Sequence, residues 1–176
     1  DAPGRNGKKG DGGMNWNGKR YWLVGASEGL GRALAEKLSA KGATLILTAR
    51  SEDRLKELAN SLPGPVEVVA GDISSNDSMD EAGKKLDHLD GVIILAGVYW
   101  PMHAKEWDAD KAMAMADINF TGMFRVLNQV MPQFIERDAG HVLITGSLSG
   151  FRGLPKAIGY SASKAGVMAL AESMYC

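Results

Sequence analysis

Tyr21-Trp-Leu-Val24-Gly25-Ala-Ser27-Glu28-Gly29-Leu30-Gly31-Arg32 is the stretch on which the fold turns. Tyr21 to Val24 is an apolar run too short for a core helix and closed by a glycine, so it reads as a buried strand. From about Leu30 to Lys41 the apolar positions recur at helical spacing, and Gly42 closes that helix. Between the two lies a turn with glycines at 25, 29 and 31. Glycine permits positive φ and close backbone approach, and the helix start beyond it offers free amides and a positive dipole to a pyrophosphate. A tight connection with no ligand would use the same residues. The strand before and the helix after favour the nucleotide reading, with Gly25, Ser27, Glu28, Gly29, Leu30 and Gly31 as its contacts.

The same alternation continues along the chain. Thr44–Thr48 is a second strand, Ser51 caps a helix running to Asn60, and Pro63-Gly-Pro65 is a turn. Val66–Ala70 is the third strand, Ser75–Asp87 a polar helix and Gly91–Leu95 a fully apolar fourth strand. A long helix is expected from about Asp108 to Phe134, with Met113, Ile118, Met123, Val126, Leu127, Val130 and Met131 on a broad apolar face for core or subunit packing. Pro132 near its end could bend it. His141–Thr145 is strand five, and Ser161–Met174 the last helix. Strands alternating with helices predict an α/β fold, a doubly wound parallel sheet of the Rossmann kind.

Residues 1–15 differ from the rest. The first thirteen hold five glycines and no large apolar side chain, so burial cannot offset their ordering entropy. They read as a disordered Gly-rich leader with Met14 as a candidate start, followed by one nucleotide-binding domain over 16–176. With 45% hydrophobic and 23% charged residues, the 176-residue chain can bury a real core. Lys plus Arg is 20 against 21 for Asp plus Glu, so no basic surplus points to nucleic acid. No apolar run has membrane-spanning length. Cys176 is the only cysteine, which suits a reducing compartment, with cytoplasm the default. His88, His103 and His141 lack metal-cage spacing, so no metal is expected. No glycine-framed serine with histidine partners suggests hydrolysis.

Two further segments carry chemistry. After strand two stands Thr48-Ala-Arg50-Ser51, where an acidic residue would hydrogen-bond a free adenosine ribose. A cation beside a hydroxyl suits a 2′-phosphate instead, so NADP is favoured over NAD. Glu28 adds negative charge nearby and tempers that choice, and Arg50 could equally solvate a loop or pair with Glu52 or Asp53. The second segment runs Ser147-Leu148-Ser-Gly-Phe151-Arg-Gly-Leu154-Pro-Lys-Ala-Ile158-Gly-Tyr160-Ser-Ala-Ser-Lys164. Tyr160 and Lys164 are four apart and share a helix face. A fixed ammonium favours phenolate and draws tyrosine toward proton transfer near neutral pH. An ordinary half-buried tyrosine beside a solvated lysine is the bland alternative.

From about Lys19 to Met174 these pieces together resemble the classical short-chain dehydrogenase/reductase family. The matching pieces are the Gly-x-x-x-Gly-x-Gly turn, Asp72-Ile73 after strand three, Ala96-Gly97 after strand four, Asn119 in the long helix, Ser147, and Tyr160-x-x-x-Lys164. The resemblance implies strand order 3-2-1-4-5, with the terminal strands and a substrate-covering segment of full-length members missing beyond Cys176. It implies hydride transfer between NADP(H) and a ketone or 3-oxoacyl-type carbonyl, or the reverse from an alcohol. Tyr160 would be the acid or base, Ser147 would hydrogen-bond the substrate oxygen, and Lys164 would depress the tyrosine pKa and grip the nicotinamide ribose. Asn119 would hold a helix irregularity and a proton-relay water. Asp72 and Ile73 would contact adenine, with Ala96 and Gly97 on the adenosine side, although Asp72 could simply begin a turn. A homo-oligomer, dimer or tetramer, is implied for the complete protein.

Val24 stands where the family usually has threonine, and Ile94 and Leu95 where it has two asparagines, which puts the rigidity of the adenosine side in question. Tyr99, Trp100, Leu148, Phe151, Leu154 and Ile158 are the expected substrate wall, partly apolar. Two other functions stay open: an extended-type relative acting as a sugar-nucleotide epimerase or dehydratase, and a truncated nucleotide-binding module without turnover.

Overall fold

The computed structural model describes residues 14–175, so thirteen of the fifteen residues of the expected leader, and Cys176, lie outside the described residues. Five parallel strands, β1 (Arg20–Val24), β2 (Thr44–Thr48), β3 (Val66–Val68), β4 (Gly91–Ile94) and β5 (His141–Ile144), form one sheet in the order β3-β2-β1-β4-β5. The registers pair Trp22 with Ile46 on one side and with Val92 on the other. This is the doubly wound order expected from the sequence.

Strand periodicity sorts the core into two layers. Trp22, Val24, Ile46, Val92 and Ile94 point to one face and pack with Met79, Met123, Val126, Val130 and Val167. Tyr21, Leu23, Leu45, Leu47 and Ile93 point to the other, against Ala35, Leu38, Leu55 and Leu58. The first layer is covered by helices α3 (Asn76–Gly83), α5 (Gly122–Glu136) and α6 (Ile158–Met174), the second by α1 (Gly29–Ala40) and α2 (Glu52–Ser61). Burial at alternate positions on both faces is why the strands read as continuous apolar runs.

Helix ends follow their caps. Gly42 adopts φ +86 just past α1, while the Ser51 and Ser75 hydroxyls accept from Arg54 N and Ser78 N at the starts of α2 and α3. α3 ends at Gly83, four residues before the predicted end. Three-residue turn bonds, Lys85 N to Ala82 O and Leu86 N to Gly83 O, then carry the chain toward β4. α6 starts three residues early and takes Tyr160 into its first turn.

The single long helix expected over 108–134 is corrected. It divides into α4 (Ala109–Ala116), a π-helical turn (Asp117–Thr121) and α5. Asn119 sits in the π turn, fully buried. A widened turn of this kind forgoes regular helix geometry, and here side-chain bonds from Asn119 to another loop compensate. α5 continues through Pro132 to Glu136, because the carbonyl that loses its donor belongs to exposed Asn128 and can be satisfied by water.

Candidate active site

The segments leaving the C-terminal ends of β1 to β4 converge on a cleft of about 560 Å³. Gly25, Ser27, Glu28, Leu30 and Gly31 line it from the first turn, Arg50 from the end of β2, Asp72 and Ile73 from beyond β3, and Ala96 and Gly97 from beyond β4. Gly29 does not line it. Its φ of +54 with open space around it instead lets the chain enter α1. Gly25 and Gly31 are required for a different reason. Gly25 has φ +94 and a side chain there would collide with the Ala96 backbone; one at Gly31 would collide with the Gly25 carbonyl. The turn is therefore packed backbone to backbone. The first amides of α1 have no side-chain cap, since Glu28 makes none, and remain available to an anion.

The departures from the usual pattern are bridged by backbone. Gly25 N and Ala26 N donate to Thr48 O at 2.8 and 3.2 Å, while Leu95 N and Ala96 N donate to Val24 O at 2.8 and 3.0 Å. Buried Trp22 adds an Nε1 bond to Thr48 Oγ1 at 2.8 Å. Strands β1, β2 and β4 are thus tied at the cleft without the threonine hydroxyl or the asparagine amides.

At the end of the cleft beside β2, Glu28 pairs with Arg54, Oε2 to Nη1 at 2.8 Å, and Arg54 also lines the cleft. Arg54 was not singled out in the sequence. Ser51 capping α2 was the available signal, because it puts Arg54 in the first turn of that helix. Arg50 makes no ion pair with Glu52 or Asp53; Glu52 pairs with Lys56 instead. The Asp72 carboxylate accepts from Ser74 N at 3.0 Å and Ser74 Oγ at 2.7 Å, so it does begin a turn while also lining the cleft. Burial opposes its ionisation, but the Ser74 bonds and the charges of Arg50 and Arg125 outweigh it, and the carboxyl is held below its ordinary value.

At the far end, Asn119 Oδ1 accepts from Val98 N at 2.7 Å and its Nδ2 donates to Val98 O at 2.9 Å and Ser163 Oγ at 3.2 Å. A methyl group on Gly97 would lie 3.2 Å from Asn119 Oδ1 and 3.8 Å from Lys164 Nζ, so the cleft abuts both. Lys164 is 3% exposed, and its Nζ donates to Thr145 O at 2.8 Å and lies 5.7 Å from the Tyr160 ring centroid. Burial lowers its pKa. Ser163, one turn after Tyr160, donates to the Tyr160 carbonyl at 2.8 Å. It joins Asn119 to α6, a link that sequence reading missed.

Ser147 caps the short 3₁₀ turn Leu148–Gly150, its Oγ accepting from Ser149 N at 3.2 Å and lying 2.9 Å from Ser149 Oγ. That turn packs on α6: a Cβ on Gly150 would stand 2.9 Å from the Lys164 carbonyl. The Tyr99 ring packs 5.0 Å from the Tyr160 ring, and Met102 N donates to Lys156 O, drawing the loop of Tyr99 and Trp100 to the loop of Leu154 before Ile158. Leu148 and Phe151 are 85% and 75% exposed. Among the described residues no group of His, Cys, Asp and Glu is arranged to hold a metal, and no helix is long and apolar enough to cross a membrane.

A glycine turn, a buried lysine one helical turn from a tyrosine, and an asparagine in a π turn lie together beyond the C-terminal ends of the strands. Known proteins similar to this chain are oxidoreductases. An uncharacterised oxidoreductase of Staphylococcus epidermidis is 32% identical over 86% of this chain and 68% of its own length. A metagenomic short-chain oxidoreductase solved in complex with NADP superposes with a TM-score of 0.85 at 27% identity, over 92% of this chain and 76% of that one. An alcohol dehydrogenase from the archaeon Thermococcus sibiricus, complexed with 5-hydroxy-NADP, superposes with a TM-score of 0.82 at 30% identity, over 89% and 69%. The sequence model of the short chain dehydrogenases matches residues 19–176, and the chain belongs to that family of oxidoreductases.

Proposed function

We propose that this protein transfers a hydride between NADP(H) and a carbonyl or alcohol substrate, with Tyr160 giving or taking the proton. The observation that carries the reading is the junction of the glycine-turn cleft with Asn119 and Lys164 at Gly97, one helical turn from Tyr160. A dinucleotide fits the residues present. Gly25 and Gly31 let the turn pack backbone to backbone beside the cleft, the first amides of α1 would hold a diphosphate, Asp72 and Ile73 would contact adenine, and Arg50, without an ion pair among the described residues, would hold a 2′-phosphate. When bound, the nicotinamide supplies or accepts the hydride.

The chain's own groups do the rest. Ser147 donates its hydroxyl hydrogen to the substrate oxygen while its lone pairs take the Ser149 amide. Tyr160 protonates that oxygen as it gains charge, or removes the proton in the reverse direction. Lys164 spends one proton on Thr145 O and keeps two, for the ribose hydroxyls and the tyrosine side. Asn119 holds the Val98 loop at the floor of the cleft. Tyr99, Trp100, Leu148, Phe151, Leu154 and Ile158, none of which lines the cleft beside the glycine turn, would meet the substrate as a partly apolar surface suited to a ketone or 3-oxoacyl-type compound. A homo-oligomer and a cytoplasmic home complete the proposal; exposed Met113, Phe124 and Ile135 on α4 and α5 offer apolar surface for association.

One observation favours a second reading for these residues taken alone. Leu148 and Phe151 stand open to solvent, as in a nucleotide-binding module that needs further chain to close on substrate. Titrating NADPH and NADH by fluorescence while assaying a panel of ketones separates the two. Binding with turnover supports the reductase, binding without turnover supports the module, and binding of neither nucleotide refutes both.

A further inference from the structure

Glu28 and Arg54 meet across the adenosine end of the cleft, 2.8 Å apart, and both line it. They come from opposite sides of the dinucleotide unit. Glu28 immediately precedes α1, where its carboxylate caps no amide of that helix. Arg54 rises from the first turn of α2, fixed by the Ser51 hydroxyl on its own amide. Arg50, four residues earlier, lines the same end and forms no ion pair among the described residues. Two guanidinium groups and two carboxylates therefore share a single mouth, and the second carboxylate, Asp72, is already held by Ser74. Both members of the pair are largely solvent-exposed, with side chains 61% and 76% accessible, so the contact is weak and exchanges readily.

We propose that Arg54 is a second cation for the adenosine 2′-phosphate and that Glu28 is its displaceable counterion. The inference rests on the NADP reading above. A phosphate dianion has three acceptor oxygens and can take forked N–H donors from two guanidinium groups at once. The Glu28 carboxylate keeps Arg54 turned into the cleft in the free protein, and the phosphate replaces it on binding. A cofactor with a free 2′-hydroxyl brings no anion to exchange, so the ion pair persists. The pair thereby contributes to discrimination between the two nucleotides.

The test measures dissociation constants of NADPH, NADH and adenosine 2′,5′-bisphosphate for the wild-type protein and for Arg54→Gln, Arg54→Lys, Glu28→Gln and Arg50→Gln. Arg54→Gln should weaken NADPH and the bisphosphate about tenfold and move NADH less than about twofold. Arg54→Lys should recover only part of that loss, because the ammonium cannot fork. Glu28→Gln should tighten NADPH several-fold, since nothing then competes for Arg54. Loss of NADPH and NADH in equal measure in Arg54→Gln, or of neither, overturns the role of Arg54; Glu28→Gln binding NADPH no more tightly overturns the counterion. Failure of the underlying NADP reading looks different: the wild type would itself prefer NADH, and Arg50→Gln would change nothing.

Discussion

Replacing Asn119 by alanine should unfold the protein earlier and loosen one named loop. The amide makes three hydrogen bonds, two to the Val98 backbone and one to Ser163 Oγ, from a residue that is completely buried. Alanine cannot replace them. A buried partner left unpaired costs about 1–3 kcal/mol, but Val98 is only partly buried and water can reach it, so the low end applies there. Ser163 still donates to the Tyr160 carbonyl, which limits its loss. Together with the small cavity left behind, the expected destabilisation is about 2–4 kcal/mol. For a domain of this size that lowers the unfolding midpoint by roughly 5–15 °C. Thermal unfolding followed by circular dichroism reads the midpoint, and hydrogen exchange reads the Val98 amide, whose protection should fall with it. A midpoint within about 2 °C of wild type, with Val98 still protected, would refute the argument that these bonds offset the π turn.

The three glycines of the first turn should behave differently although they sit within seven residues. Alanine at Gly25 or Gly31 meets backbone at impossible distances and should cost more than about 3 kcal/mol, whereas Gly29→Ala meets open space and costs only its positive φ, about 1–2 kcal/mol; denaturant midpoints rank them. Lys164 has a definite sign in pH. Burial lowers its folded-state pKa below 10.5, so the unfolded chain binds that proton more strongly, and stability relative to Lys164→Met should rise with pH in the window just below 10.5. Urea titrations from pH 8 to 10.5 check this, and a falling difference would contradict the burial argument.

Much of this was legible in the residues. Tyr21 to Val24, Thr44 to Thr48 and Gly91 to Leu95 read as strands because a sheet covered on both faces buries every position. The turn glycines were legible as backbone requirements, each forced by φ or by contact with backbone, although Gly29, expected as a nucleotide contact, does not line the cleft. What stayed hidden depends on partners distant in sequence. The resemblance implied a helix irregularity at Asn119, which the π turn bears out, but its partner Val98 lies 21 residues away and nothing in the local helical periodicity of 108–134 records that bond. Glu28 appeared as an unmatched charge because Arg54 lies 26 residues on. Trp22 looked like core alone, yet its indole N–H supplies a polar tie to Thr48 that helps close the gap left by Val24. The spacing of Tyr160 and Lys164 put them one turn apart on a helix, as α6 has them, but the linkage of Asn119 to α6 through Ser163 required the folded chain.

The central claim is that hydride transfer to a carbonyl depends on Tyr160 beside a dinucleotide cleft it does not build. Its most direct measurement is NADPH oxidation with a ketone panel, run on wild type and Tyr160→Phe alongside nucleotide titration. The account predicts that Tyr160→Phe loses at least about 100-fold in turnover, the usual contribution of a general acid, while NADPH affinity stays within a few-fold. Turnover that survives in Tyr160→Phe, or a loss explained wholly by failure to bind NADPH, would contradict it.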